Sequence, residues 1–112
     1  MSAIASIYAT FPNSSEAERI GRALLEERLA ACVNILGPCR SIYRWQGAVE
    51  QADEVAAIFK STATLAPRLI ERLGELHSYD VPAAGMWPIG ASIPAYAEWV
   101  GDATNGASAE KR

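Results

Sequence analysis

A single histidine and two cysteines are all the imidazole and thiol groups that the 112 residues hold. No third cysteine or neighbouring histidine completes the ligand spacing of a zinc site, which excludes a closed structural zinc within one chain. Two cysteines also fit a reducing compartment. Basic residues are few, ten Lys and Arg against thirteen Asp and Glu for a net charge of −3, and they nowhere cluster. A surface that tracks phosphates needs such clusters, so nucleic acid is not expected as a partner. No apolar run approaches the roughly 18 residues of a membrane span. The N-terminus, MSAIASIYATF, precedes the first basic residue, Arg19, and reads as a strand rather than a signal peptide. The expected setting is the cytoplasm, without membrane attachment. A glycine-rich phosphate loop, a CxxC after the first strand and a nucleophile beside a base are missing too, so no catalytic residue is assigned.

What is present is apolar and small. Half of the residues are apolar, yet 21 are alanines, so the bulky side chains that dominate burial energy are fewer than that share suggests. A chain of this length forms one domain and removes roughly 65% of its unfolded surface from water. Association between subunits is a natural way to add burial.

Periodicity divides the chain. Residues 3–11 (AIASIYATF) suit a buried strand that stops at Pro12-Asn13. Asn13 and Ser15 each have a Glu three positions later, offering capping boxes for a helix with Ile20, Leu24 and Ala31 on its apolar stripe and an end near Ala30. From Cys32 the period becomes two. CVNIL and SIYRW, interrupted by Gly37-Pro38, form a long bent strand that ends at Gln46-Gly47, a two-residue hairpin turn. That turn sets Trp45 against Ala48, Tyr43 against Glu50 and Arg40 against Asp53. The returning strand runs to Thr62, with a bulge expected at Asp53-Glu54. Thr62 or Thr64 caps a second helix with Leu65, Leu69, Leu73 and Leu76 on its buried face, ending near His77. AAGMWPI is a last strand with Pro88 at an edge or near its end. PAYAEWV is a short helix, and residues 102–112 read as a disordered tail after a single domain at 1–101. The resulting fold class is α+β, a ferredoxin-like β-α-β-β-α-β antiparallel sheet with two helices on one face, an extended hairpin arm and a short C-terminal helix.

Few side chains carry chemistry. Cys32 sits at an apolar junction, where a free cysteine packs as a small hydrophobe. Cys39 lies seven residues on, roughly 23 Å along an extended strand, so a disulfide between them requires the chain to reverse at Gly37-Pro38. His77 either completes the C-terminus of the second helix or donates to a metal together with groups from another subunit. Lys60 either ends a strand in solvent or binds an anion. Tyr43, Trp45 and Trp87 fill a core, an interface or a stacking surface. Adjacent acids such as Asp53-Glu54 point to opposite faces of a strand and form no acid/base couple.

The blocks EERLAACVNI, SIYRWQG, VAAIFKST, ERLGELHSYDVP and PAYAEWV, in this order over about residues 4–100, resemble the CutA (CutA1) divalent-cation tolerance family. The resemblance implies the ferredoxin-like fold, a homotrimer whose hairpin arms interlock between subunits, and a non-enzymatic role in tolerance of divalent metals, copper above all. It also implies a likeness to the PII signalling trimers, hence an alternative role in which a small anionic effector binds between subunits through Lys60. Carried over residue by residue, His77 is the first metal donor and Cys32 the second, while Asn34, Glu50, Lys60 and Tyr79 line the cleft. The chain departs from the family pattern where some members implicated in copper binding have cysteine and a further histidine. Ala9 and Leu76 stand there, Ser78 and Asp80 replace the usual Pro and Glu, and Ile93 cannot cap the last helix.

Overall fold

The structure, a computed structural model, describes residues 3–106. Its elements run β1 (Ile4–Phe11), α1 (Ser14–Glu26), β2 (Cys32–Trp45), β3 (Ala48–Thr62), α2 (Ala66–Leu76), β4 (Ala84–Ile89) and α3 (Pro94–Ala103). The four strands form one antiparallel sheet in the order β2-β3-β1-β4, the α+β ferredoxin-like arrangement that the period changes predict. Strand alternation gives the sheet two unlike faces. Ala5, Ile7, Ala9 and Phe11 of β1, with Val55, Ala57 and Phe59 of β3, pack against Ile20 and Leu24 of α1 and Leu69 and Leu73 of α2. On the opposite face Ile4 meets Ala97 and Val100 of α3 at one end of the sheet, and the other end has no helix over it.

Local chemistry explains the element ends. Asn13 caps α1, its side-chain oxygen accepting from the Glu16 N–H at 2.8 Å. α1 stops at Glu26, short of the expected Ala30, because Arg28 takes a left-handed φ of 62°. The Leu29 N–H then bonds to the Leu24 carbonyl and the Arg28 N–H to that of Leu25, the pair of bonds that defines a Schellman ending. Leu65, not a threonine, occupies the cap position of α2, although the Thr62 hydroxyl accepts from the Leu65 N–H at 3.1 Å. Ser92 does not cap α3, since its hydroxyl donates to the Ile93 carbonyl. That helix continues to Ala103, beyond the expected boundary at Gly101, and is closed by the buried Thr104, whose hydroxyl donates to the Val100 carbonyl at 2.9 Å. Of the segment read as a tail, residues 107–112 lie outside the described residues.

The hairpin keeps the predicted register, Trp45 opposite Ala48, Tyr43 opposite Glu50 and Arg40 opposite Asp53, and an ion pair of 3.3 Å joins the last two. Gln46 and Gly47 both have positive φ, 49° and 85°, as a type I′ turn demands. The bulge, however, lies in β2 between Ile35 and Gly37 rather than at Asp53-Glu54. Gly37 has a φ of 104°, a conformation that a Cβ disfavours, so the Gly-Pro interruption is where the extra residue is absorbed. Cys32 and Cys39 therefore lie on one continuing strand, and both are free thiols.

This one inserted residue reverses the facing of everything beyond it. Before it, Cys32 and Asn34 share a face with their partners Lys60 and Ile58, opposite the two main helices. After it, that face carries Cys39, Ser41, Tyr43 and Trp45, opposite Glu54, Ala52, Glu50 and Ala48. Arg40, Ile42 and Arg44 turn to the other side. Because β1 ends at Phe11, opposite Val55, the hairpin beyond that point pairs with no third strand and projects as an arm, which helps draw the molecule out to 45 × 30 × 24 Å.

Candidate functional site

The helix-free end of the sheet face holds a cavity of about 510 Å³. Tyr8 and Thr10 of β1 form its floor, Ser41, Tyr43 and Trp45 of β2 one wall, and Glu50 and Glu54 of β3 lie between them. The segment after α2 closes it with Tyr79, Asp80 and Val81. Its walls thus carry four aromatic rings and three carboxylates, and no Lys or Arg side chain. The strand period explains the sorting: the bulge at Leu36 puts the tyrosine and tryptophan of SIYRW on the cavity face and sends Arg40 and Arg44 away from it.

Tyr79 is anchored at both ends. Its phenol donates to Glu54 Oε2 at 2.8 Å, and its backbone N–H donates to His77 Nδ1 at 3.1 Å. Burial, followed by the hydrogen bond and the negative charge of Glu54, pushes the phenol up to about 12, so it is a donor at neutral pH. Glu54 is only 8% exposed although it is a carboxylate.

His77 lies beside this site rather than in it. Its ring stacks on Phe11 at 5.0 Å, and Nε2 is 2.8 Å from the Thr10 carbonyl. A carbonyl can only accept and the Tyr79 N–H can only donate, so the network assigns the proton to Nε2 and the lone pair to Nδ1. Both nitrogens are therefore engaged within the fold. Glu16 braces the same turn, accepting from the Ser78 N–H and hydroxyl, each at 3.0 Å. Burial raises its carboxyl, but the hydrogen bonds from Ser78, helped by the positive charge of Arg19, prevail and hold it below the usual carboxylate value.

The sequence-derived site residues separate into two groups on one face of the sheet. Glu50 and Tyr79 line the cavity. Lys60, Cys32 and Asn34 lie toward the other end, where the Cys32 thiol is 3.8 Å from the Tyr96 hydroxyl of α3. Ten residues of β3 separate Glu50 from Lys60, roughly 33 Å of extended chain. Cys32 is level with Ser6, whereas His77 bonds to Thr10, four residues or roughly 13 Å further along β1. One chain therefore does not bring Cys32 and His77 to a common point, and among the described residues no group of three or more His, Cys, Asp or Glu is placed to hold a metal ion. Sequence reasoning missed Tyr8 and Glu54, and weighed Asp80 only as a donor beside His77. For Glu54 a signal existed, since Glu50 and Glu54 are an even number of residues apart and must share a strand face.

The model of the CutA1 divalent ion tolerance protein family matches residues 5–103. The divalent-cation tolerance protein CutA of Thermus thermophilus is 42% identical over 98 residues, which cover 88% of this chain and 95% of that protein. Protein CutA of Mus musculus is 36% identical over 105 residues, 94% of this chain but 59% of the mouse protein, so the chain spans little more than half of that relative. Among solved structures, CutA1 from Oryza sativa superposes with a TM-score of 0.89 at 33% identity, covering 94% of this chain and 96% of the rice chain. CutA1 from Ehrlichia chaffeensis superposes at 0.88, also at 33% identity, over 93% and 97%. The period changes, the sheet order, the projecting hairpin and the match over nearly the whole chain agree: this chain belongs to the CutA1 divalent ion tolerance family.

Proposed function

We propose that the chain works as a cytoplasmic homotrimer without catalytic activity, in tolerance of divalent cations and of copper in particular. The projecting arm is the observation that carries this reading. An isolated two-stranded hairpin is marginal in water, yet here it bears Ile42 at 69% and Val49 at 63% exposure, with Tyr43 and Trp45 also open to solvent. Copies of the chain that clasp one another's arms bury these side chains, as obligate interfaces do. Sedimentation velocity is expected to give a single species of three chains at micromolar concentration, and a monomer near 12.0 kDa would overturn the assembly.

Copper contact, in this reading, is weak and shared between subunits, with His77 and Cys32 as nitrogen and sulfur donors. The metal must displace the Tyr79 N–H from Nδ1, which lowers affinity. Calorimetric titration with Cu(II) is expected to show binding that weakens in His77→Gln and Cys32→Ser; an isotherm identical to wild type removes that residue from the site.

Lys60 supports a second reading, the PII-like one. It forms no ion pair among the described residues, and Asn34 lies one alternation away on the same face. A small anionic effector held there raises the melting temperature of the native protein. A nucleotide and metabolite panel that shifts wild type but not Lys60→Ala supports this reading, and a flat panel rejects it.

A further inference from the structure

We propose that Asn105-Gly106, just past the end of α3, is a self-modifying site: the Gly106 backbone nitrogen attacks the Asn105 side-chain amide and converts Asn105 to aspartate and isoaspartate. The chain has three asparagines, Asn13, Asn34 and Asn105, and all are exposed, so exposure does not separate them. Conformation does. Asn13 caps α1, its side-chain oxygen held by the Glu16 N–H at 2.8 Å, and the residue after it is the first of the helix. Asn34 lies in the β2–β3 ladder opposite Ile58, and the stiff, branched Ile35 that follows crowds the nitrogen. Asn105 is followed by glycine, which sets no Cβ beside the attacking atom.

The backbone is held as far as Asn105 and released after it. The buried Thr104 hydroxyl donates to the Val100 carbonyl at 2.9 Å and the Asn105 N–H to the Asp102 carbonyl at 3.2 Å, whereas Gly106 donates no backbone hydrogen bond among the described residues. Its N–H is free to lose the proton that the attack requires. Hydroxide takes that proton, the nitrogen bonds to Asn105 Cγ, the Cγ–Nδ2 bond breaks and ammonia leaves. Water then opens the succinimide ring: attack at the side-chain carbonyl gives aspartate, and attack at the backbone carbonyl gives isoaspartate, with an added methylene in the main chain. Each converted chain is one charge more negative than the formal −3. The new carboxylate stands at the negative end of the α3 dipole, which disfavours it. Arg28 offsets this, because a Cβ on Gly106 would lie 4.0 Å from Arg28 Cδ, and Arg28 forms no ion pair among the described residues. Neither product returns to asparagine unaided, so the converted fraction records the age of the protein.

Peptide mapping by mass spectrometry tests this on the full chain in its native assembly, incubated in mildly alkaline buffer at physiological temperature. A one-dalton gain is expected at Asn105, at least tenfold faster than at Asn13 or Asn34, with a rate that rises with hydroxide. Gly106→Ala is expected to slow the gain at least tenfold and Asn105→Gln to abolish it, each with the circular dichroism of wild type. Arg28→Gln is expected to lower the melting temperature more in converted than in unconverted protein; equal shifts remove Arg28 from the site. No gain at Asn105 overturns the proposal, and that is also the outcome if an assembled neighbour covers the dipeptide. Equal rates at the three asparagines, or an unchanged rate in Gly106→Ala, overturn it as well.

Discussion

Single residues in this chain act chiefly through the hydrogen bonds they close. His77 sat in the sequence as the one imidazole and so invited a metal role, yet in the fold it ties Thr10 of β1 to the turn after α2 and stacks on Phe11. His77→Ala leaves the buried Thr10 carbonyl and the part-buried Tyr79 N–H without this partner and opens a cavity. The expected loss is about 2–4 kcal/mol, read from urea denaturation. Glu16 is linked to pH with a definite sign. Its carboxyl is held below the ordinary value, so its contribution is fully present above the unfolded carboxylate range and is lost as pH falls through the depressed value. The stability difference between wild type and Glu16→Gln is therefore expected to be largest near neutrality and to shrink as pH falls into and below the ordinary carboxylate range, as followed by denaturation midpoints. Arg28 is the converse case, a residue in a conformation it does not prefer. Glycine at that left-handed position removes the strain of the Cβ, and Arg28→Gly is expected to add roughly 1 kcal/mol to stability.

At the scale of elements the bulge in β2 matters most. It depends on Gly37, so Gly37→Val is expected to lower the melting temperature, by strain of about 1–2 kcal/mol. Deleting Leu36 is the sharper test of the facing argument. Without the inserted residue, either the arm keeps its turn and strains where it leaves the sheet, or Arg40 and Arg44 rotate into the cavity in place of Ser41 and Tyr43. The elements themselves were legible in the sequence, because each rests on a local signal: Asn13 for the start of α1, Gln46-Gly47 for the turn, Pro88 for an edge strand. The misplaced features share a cause. The charged Asp53-Glu54 suggests a bulge, but a bulge answers to backbone conformation, and glycine beside proline supplies it. The apolar stripe points to an α1 end near Ala30, but a helix stops where its carbonyls find other donors, here the N–H groups of Arg28 and Leu29.

Across the whole molecule, the arm projects beyond the core and bears apolar side chains on both faces, so a charge placed on it should act on assembly before folding. Ile42→Glu is expected to shift sedimentation toward smaller species at low micromolar concentration while leaving the secondary structure seen by circular dichroism intact, since Ile42 packs on nothing in its own chain's core. Periodicity and turn chemistry by themselves determined the strand and helix order and the hairpin register, because each is written in neighbours within a few residues, and the family was legible only through the resemblance of whole sequence blocks. Which residues meet was decided by the tertiary structure alone. The sheet brings Tyr8, Glu54 and Tyr79 together from three distant segments and holds Cys32 away from His77, and one inserted residue at Leu36 selects which side chains of SIYRW enter the cavity. Burial has the same origin: Glu54 looks like a surface carboxylate in its acidic stretch, and the packing of the segment after α2 over the sheet takes it out of water and gives it the Tyr79 hydroxyl as a donor.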